Sequence, residues 1–241
     1  MKQNIKYNHN VTEFHNCPLC ASSLPCTHIV GPRGRGYFLC QQCQLIFMDR
    51  ALLPDPAIEE ERYRAHQNGP QDSGYVRFLQ QAINPALPFL HGGMRGLDYG
   101  CGPTPTLGGL LKAHGLHCEN YDPYFFPAAP DGPFDFIFAT EVVEHFYNPA
   151  TAWQKISGLL LPGGILTIMT EPWISLDGFA DWHYAKDITH ACFYHAKTMD
   201  YICTRYGFEL LNQDSPRVTV LRKNSRVSVL KKIKDKHNDE Q

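Results

Sequence analysis

The chain has 241 residues, 43% hydrophobic and 19% charged, with a net charge of −2 at neutral pH. That is enough apolar material for one α/β core and a small accessory module. No apolar run approaches the ~18 residues that span a bilayer, and the amino terminus MKQNIKYNHN lacks the apolar centre of a signal peptide, so a cytoplasmic protein with no membrane partner is expected.

Charge is unevenly spread: residues 1–50 carry a net +3, residues 51–211 a net −9 and residues 212–241 a net +4. An acidic centre is a poor footprint for nucleic acid, which rewards clustered cations. Arg33 and Arg35 in the loop GPRGRGY could touch phosphate, but read first as a solvated hairpin tip.

In chain order, the first signal is a pair of knuckles, Cys17-Pro-Leu-Cys20 and Cys40-Gln-Gln-Cys43. Two C-x-x-C turns joined by a hairpin-length spacer give the arrangement of a four-thiolate zinc ribbon, expected over residues 1–50. Cys26 and His28 lie between the knuckles and read as loop residues. Residues 51–90 follow as a linker and a helix. Glu59 to Arg64 is a charge run typical of a solvated helix. Gly74 to Ile83 places Tyr75, Phe78, Leu79 and Ile83 on one face, with Asp72 or Ser73 able to cap it.

The most informative stretch is Gly96-Leu-Asp-Tyr-Gly-Cys-Gly-Pro103, a buried strand running into a glycine turn and then a helix over Thr106 to His114. Glycine takes the left-handed turn cheaply and lets backbone lie against a ligand, while the helix aims its N–H groups at the same crevice. A nucleotide cofactor is implied. The third glycine of a dinucleotide fingerprint is missing, since Pro105 stands there, and NAD is disfavoured. His117 to Pro123 predicts a second strand ending in Asp122, about 20 residues after the turn, where a carboxylate meets ribose hydroxyls. Phe134 to Thr140 predicts a buried strand followed by Glu141-Val-Val-Glu-His145, and Leu159-Leu-Leu-Pro-Gly-Gly-Ile-Leu-Thr-Ile-Met169 predicts a helix end, a turn and another buried strand. Phe208 to Leu211 and Val218 to Leu221 predict a closing antiparallel hairpin, and residues 226–241 a polar tail.

Taken together, these motifs resemble the class I S-adenosylmethionine-dependent methyltransferases. The strand and G-x-G turn are similar to that family's first motif, residues 134–145 to its fourth strand and loop, and residues 159–169 to its L-x-P-G-G-x-L element. With the ribbon running into Leu45-Ile-Phe47, the chain resembles a zinc-ribbon-containing bacterial branch that includes sugar C-methyltransferases. The resemblance implies an α/β, Rossmann-like methyltransferase sheet over residues 91–225 with an amino-terminal zinc ribbon. It implies S-adenosylmethionine as cofactor, with Asp98 near the methionine ammonium, Gly100 and Gly102 beneath it, and Asp122 on the ribose. Tyr75 of the covering helix, Thr140 and Glu141 complete the implied cofactor wall.

One departure stands out. Residues 123–133 are too short and too proline-rich for the helix and third strand of the family, which leaves Asp131, Phe125 or Phe126 as adenine-side candidates.

Methyl transfer asks for alignment and, for some acceptors, a base. His183 and His190 are the candidate catalytic histidines, with Tyr184 and Asp187 able to orient them; Glu144 and Glu141 are the next candidate bases. His145, in an E-H pair that resembles a motif shared by relatives with different substrates, reads as structural. The implied activity is methylation of a small-molecule or carrier-bound metabolite. The alternative is a non-catalytic or RNA-directed protein of the same fold, whose ribbon recruits nucleic acid or protein; certain ribosomal RNA guanine methyltransferases also carry an amino-terminal zinc module.

Overall fold

The computed structural model describes residues 12–13, 15–65 and 69–225; the tail expected at 226–241 lies outside them. Residues 134–140 form β7 (Phe134–Thr140), and their side chains show why the run is almost wholly apolar: Phe136 and Phe138 enter one core cluster while Ile137 and Ala139 enter another. A strand alternates its side chains between faces, so a strand covered on both faces needs apolar residues at every position. The sheet around it has the order β10-β11-β8-β7-β5-β6. Its parallel part comprises β5 (Arg95–Tyr99), β6 (His117–Tyr121), β7 and β8 (Leu160–Met169). The expected hairpin is β10 (Phe208–Ser215) and β11 (Val218–Lys223), and β11 pairs antiparallel with β8.

On one face lie α2 (Ser73–Ala86), which buries Leu79, Ala82, Ile83 and Ala86, and α3 (Leu107–Lys112). Asp72 caps α2 by accepting from the Gly74 and Tyr75 N–H groups, as the capping rule predicts. The other face takes α4 (Pro149–Leu159) and α6 (Ala196–Tyr206), with Trp153, Ile156 and Ile202 fully buried. No strand follows β6 on its outer side among the described residues, as the short 122–133 connection requires.

A second sheet has the order β1-β2-β3-β4-β9, from β1 (Thr12–Glu13), β2 (Cys26–Val30), β3 (Gly36–Leu39), β4 (Ile46–Met48) and β9 (Cys192–Phe193). Cys26 and His28 therefore sit in a strand and not in a loop. The last strand comes from the distant end of the chain, with Ile46 opposite Phe193 and Phe47 opposite Cys192. Both faces of this sheet are cemented to the larger unit: Phe38 and Phe47 share a cluster with Trp153 and Tyr194, while Tyr37 and Ile46 share one with Trp173, Phe179 and Phe193.

Two short helices complete the frame, α1 (Pro56–Arg64), capped by Asp55, and α5 (His183–Lys186). The charge run in α1 is not simply solvated, because Glu59 is buried. Arg35, expected at a solvated tip, donates to the carbonyls of Ala185, Lys186 and Asp187 at 2.7, 3.2 and 3.3 Å. Among the described residues no helix is long and apolar enough to cross a membrane.

Phe193 is fully buried where the second sheet packs on Trp173, Phe179 and Tyr184. Phe193→Ala is expected to cost about 3–5 kcal/mol of unfolding free energy in denaturant titrations, as large buried aromatics do. A loss under about 1 kcal/mol would mean that β9 does not hold the second sheet to the segment of residues 173–191.

Candidate active site

The turn after β5 adopts the conformation that only glycine takes cheaply, with φ of 83° at Gly100 and 67° at Gly102. A Cβ on Gly100 would stand 2.3 Å from Val142, whereas one on Gly102 would meet nothing within 4 Å, so the second glycine opens onto free space. The Gly100 and Cys101 N–H groups donate to the Tyr121 carbonyl. Asp122 fastens the turn from the next strand: one carboxylate oxygen accepts from Gly102 N–H at 3.1 Å, and the other from the Tyr124 and Phe125 N–H groups at 2.9 and 3.2 Å.

These elements wall a cleft of about 490 Å³ at the carboxyl ends of the parallel strands, the position where open α/β sheets bind ligands. Tyr75, Phe78 and Leu79 of α2 close it from above, and Tyr75, Asp98, Gly100, Gly102, Asp122, Thr140 and Glu141 all line it. Asp98 is buried, and its Oδ1 has no hydrogen-bond partner among the described residues. Burial first, and the neighbouring Asp122 second, push its carboxyl up to about 7. On the adenine-side question, Tyr124 and Phe125 line the cleft; Asp131 and Phe126 are not among its lining residues.

The opposite wall comes from the loop after β7 and from His190. Glu141 holds a left-handed φ of 53°, uncommon for a side chain of its kind, while its N–H donates to the Met169 carbonyl at 2.8 Å. Burial pushes its carboxyl up to about 7 against the pull of Arg217, 3.6 Å away. His145 and His190 both line the cleft, their rings 4.7 Å apart. Each turns Nδ1 toward a backbone carbonyl, His145 to Thr189 at 3.1 Å and His190 to Tyr184 at 2.7 Å. A carbonyl only accepts, so Nδ1 carries the proton and Nε2 is the basic nitrogen of each ring.

Behind them Glu144 is wholly buried, accepting from the Tyr184 hydroxyl at 2.6 Å and the Thr170 hydroxyl at 2.9 Å. Burial, then Glu141, push it up to about 8. Glu144, His145 and His190 bring one side-chain nitrogen or oxygen each to within 4.8 Å of one another.

His183 stands apart from this group. Its side chain is 73% exposed and faces Glu171 at 3.3 Å, because it opens α5 on the outer side while Tyr184 turns inward. Asp187 is engaged chiefly by Thr189 and Arg62, with His190 a further electrostatic partner. Burial pushes its carboxyl up, but the Thr189 N–H and hydroxyl and the Arg62 guanidinium outweigh that and hold it well below the carboxylate range.

Sequence reasoning missed Glu59 and Tyr63, which line the cleft from α1, and set His145 aside. Glu59 accepts from the Tyr63 and Tyr124 hydroxyls at 2.5 and 2.6 Å. Nothing local marks a buried glutamate in Glu-Glu-Glu-Arg; only Tyr63, four residues on, hints that this face is covered.

The four knuckle cysteines gather as their spacing predicts. Both turns have the same build: the Ala21 N–H donates to the Cys17 carbonyl and the Gln44 N–H to the Cys40 carbonyl, each at 2.9 Å, with positive φ at Ala21 and Gln44. The Sγ pairs Cys17–Cys43 and Cys20–Cys40 lie 3.6 and 3.5 Å apart, and all four within 4.8 Å. A zinc tetrathiolate with bonds of about 2.3 Å has sulfur–sulfur edges of about 3.8 Å, so the set fits zinc. Cys26 lies outside it and directs its thiol to the His15 carbonyl.

The family model described as a methyltransferase domain matches residues 66–213, more than half of the chain. The chain belongs to this family, and its fold is that of the class I S-adenosylmethionine-dependent methyltransferases. It is similar to the structure of 1,6-didemethyltoxoflavin-N1-methyltransferase from Burkholderia thailandensis with bound 1,6-didemethyltoxoflavin and S-adenosylhomocysteine, at 16% identity over 77% of this chain and 98% of that one, with a TM-score of 0.50. Other similar structures are a SAM-dependent methyltransferase from Archaeoglobus fulgidus (17% identity, 70% of this chain, 100% of that one, TM-score 0.47) and the N-methyltransferase NodS from Bradyrhizobium japonicum in complex with S-adenosylhomocysteine (16%, 69%, 97%, 0.44). No curated protein matches the chain.

Proposed function

We propose that the chain transfers the methyl group of S-adenosylmethionine to a small-molecule acceptor bound between the glycine turn and the two cleft histidines. The observation that carries this reading is the unpartnered Oδ1 of buried Asp98 beside the Gly100–Gly102 turn, an acceptor suited to an ammonium. The cofactor supplies an electrophilic methyl group on a sulfonium. Asp98 would hold the methionine ammonium and Asp122 the ribose, its oxygens retaining lone pairs beyond those given to backbone. Tyr75, Thr140 and Glu141 would close the pocket.

His190 would take the acceptor's proton at Nε2, with Nδ1–H fixed on the Tyr184 carbonyl. His145 would stand beside it, and Glu144 would set the loop that carries His145. His183, exposed and paired with Glu171, drops out of this scheme. Cys17, Cys20, Cys40 and Cys43 would hold one structural zinc, since four thiolates leave no position for water. A zinc held by four reduced thiolates suits a reducing, cytoplasmic setting. Commitment of Arg35 to backbone carbonyls removes one of the two cations that could have met nucleic-acid phosphate.

Calorimetry with S-adenosylhomocysteine tests the cofactor site. Asp98→Asn should weaken binding about tenfold or more, the worth of a charge-assisted hydrogen bond. Because the ammonium is held by the ionised carboxylate, and burial holds that group at about 7, wild-type affinity should rise as pH is raised through that value. No binding by the wild type, or an unchanged affinity in the variant, refutes the assignment.

Elemental analysis should find about one zinc per chain, and Cys40→Ser should lose it. The variant should also unfold more easily as a whole, because the cysteines share a core cluster with Trp153 and Tyr194. Retained metal would point to another ligand.

His190→Ala should keep its affinity for S-adenosylhomocysteine and lose about a hundredfold in turnover of the acceptor, the usual worth of a general base. Normal turnover would remove His190 from the transfer step.

A further inference from the structure

The cleft is lined by the carboxylates of Glu59, Asp98, Asp122 and Glu141, and no lysine or arginine is among its described lining residues. Asp98, Asp122 and Glu141 are accounted for: the first awaits the cofactor's ammonium, the second takes three backbone N–H groups, and the third faces Arg217. Glu59 is different. It is 6% exposed, lies outside the motifs that carry the family resemblance, and has two phenol hydroxyls as its hydrogen-bond donors. The cations nearest to it in sequence are engaged elsewhere, Arg62 with Asp187 and Arg64 with Glu60. A buried carboxylate without a countercharge is costly, and one at the wall of a cleft can obtain that charge from a ligand.

The surroundings favour a cation over other groups. The Tyr63 and Tyr124 rings meet edge-on at 5.6 Å, and Tyr63 stands 5.2 Å from His145 on its other side. Tyr63 thus places Glu59 on the side of the cleft that holds the histidines. An ammonium gains charge attraction and a hydrogen bond from the carboxylate, a hydroxyl gains the hydrogen bond alone, and a phosphate or carboxylate is repelled.

We infer that Glu59, with Tyr63 and Tyr124, is the anchor for an ammonium group of the methyl acceptor, which makes the substrate a small amine, cationic at neutral pH, and not a phosphate-bearing metabolite. This rests on the methyltransferase reading of the cleft. Glu59 acts in binding; the atom that receives the methyl group is a separate matter.

Three probes of one shape decide it: benzylammonium, benzyl alcohol and benzoate, titrated calorimetrically into the full chain saturated with S-adenosylhomocysteine. Benzylammonium should bind at least about tenfold more tightly than benzyl alcohol, and benzoate least of all. Glu59→Gln should abolish the preference for the ammonium and leave S-adenosylhomocysteine affinity within about twofold of wild type. Glu59→Asp, which keeps the carboxylate, should retain a preference for the ammonium, and S-adenosylhomocysteine binding by Glu59→Gln shows that the first variant is folded. Equal binding of ammonium and alcohol, or a preference that survives Glu59→Gln, overturns the inference. So does a loss of S-adenosylhomocysteine affinity in Glu59→Gln, which would give Glu59 to the cofactor. If S-adenosylhomocysteine does not bind the wild type at all, the cofactor reading fails first, and that outcome is distinct from a loaded protein indifferent to amines.

Discussion

A single buried carboxyl group, that of Glu144, joins the parts of the molecule that sequence leaves far apart. Its side chain receives the Thr170 hydroxyl just past β8 and the Tyr184 hydroxyl from α5, and its carbonyl receives the Ala191 N–H. Ala191 in turn accepts from Met48 N–H of the ribbon sheet. The sheet, the loop bearing His145, the segment bearing His190 and the ribbon therefore meet within one chain of hydrogen bonds. Such a node is costly to leave half-satisfied in a low-dielectric interior, which makes it exacting about geometry. Burial and Glu141 raise the carboxyl to about 8, and the two hydroxyls that donate to it offset part of that cost.

The ribbon is best understood as part of the cleft wall's support. Its knuckles hold β3 and β4, on which β9 docks, and Arg35 gathers the carbonyls of residues 185–187. From the other direction Arg62 of α1 grips Asp187 at 2.8 Å. Two arginines from separate segments thus fix the stretch between Tyr184 and His190. A site that must align a nucleophile with a methyl donor gains from such rigidity, since small displacements of reacting groups lose much of the effective molarity that alignment supplies.

The legible parts of the sequence were those written locally. Gly100 and Gly102 declare a left-handed turn whatever the rest of the chain does, the C-x-x-C knuckles carry their geometry in a few residues, and the apolar run of β7 needs two covered faces. The illegible parts depend on contacts between distant segments. Glu59 sits in a charge run that would be solvated if Tyr124 did not arrive from β6 with a hydroxyl for it. His183 and His190 look alike on paper, but Tyr184 turns inward to Glu144, which sends His183 outward and leaves His190 in the cleft. His145 was set aside because its neighbour pair resembles a recurrent motif, whereas its place beside His190 comes from the Thr189 carbonyl, 44 residues on.

The shortened connection after β6 has a consequence for the cleft. With no further strand beside β6 among the described residues, the turn at Asp122 folds back through paired bonds between Asp122 and Phe126 and projects Tyr124 toward α1. The space that a longer connection would occupy is covered instead by α1, anchored through Glu59 to Tyr124 and through Arg62 to Asp187. The short connection therefore stands beside a carboxylate that α1 brings to the cleft wall. Helix α1 thus stands against both sides of the cleft wall, meeting the turn after β6 through Glu59 and Tyr124 and the segment leading to His190 through Arg62 and Asp187.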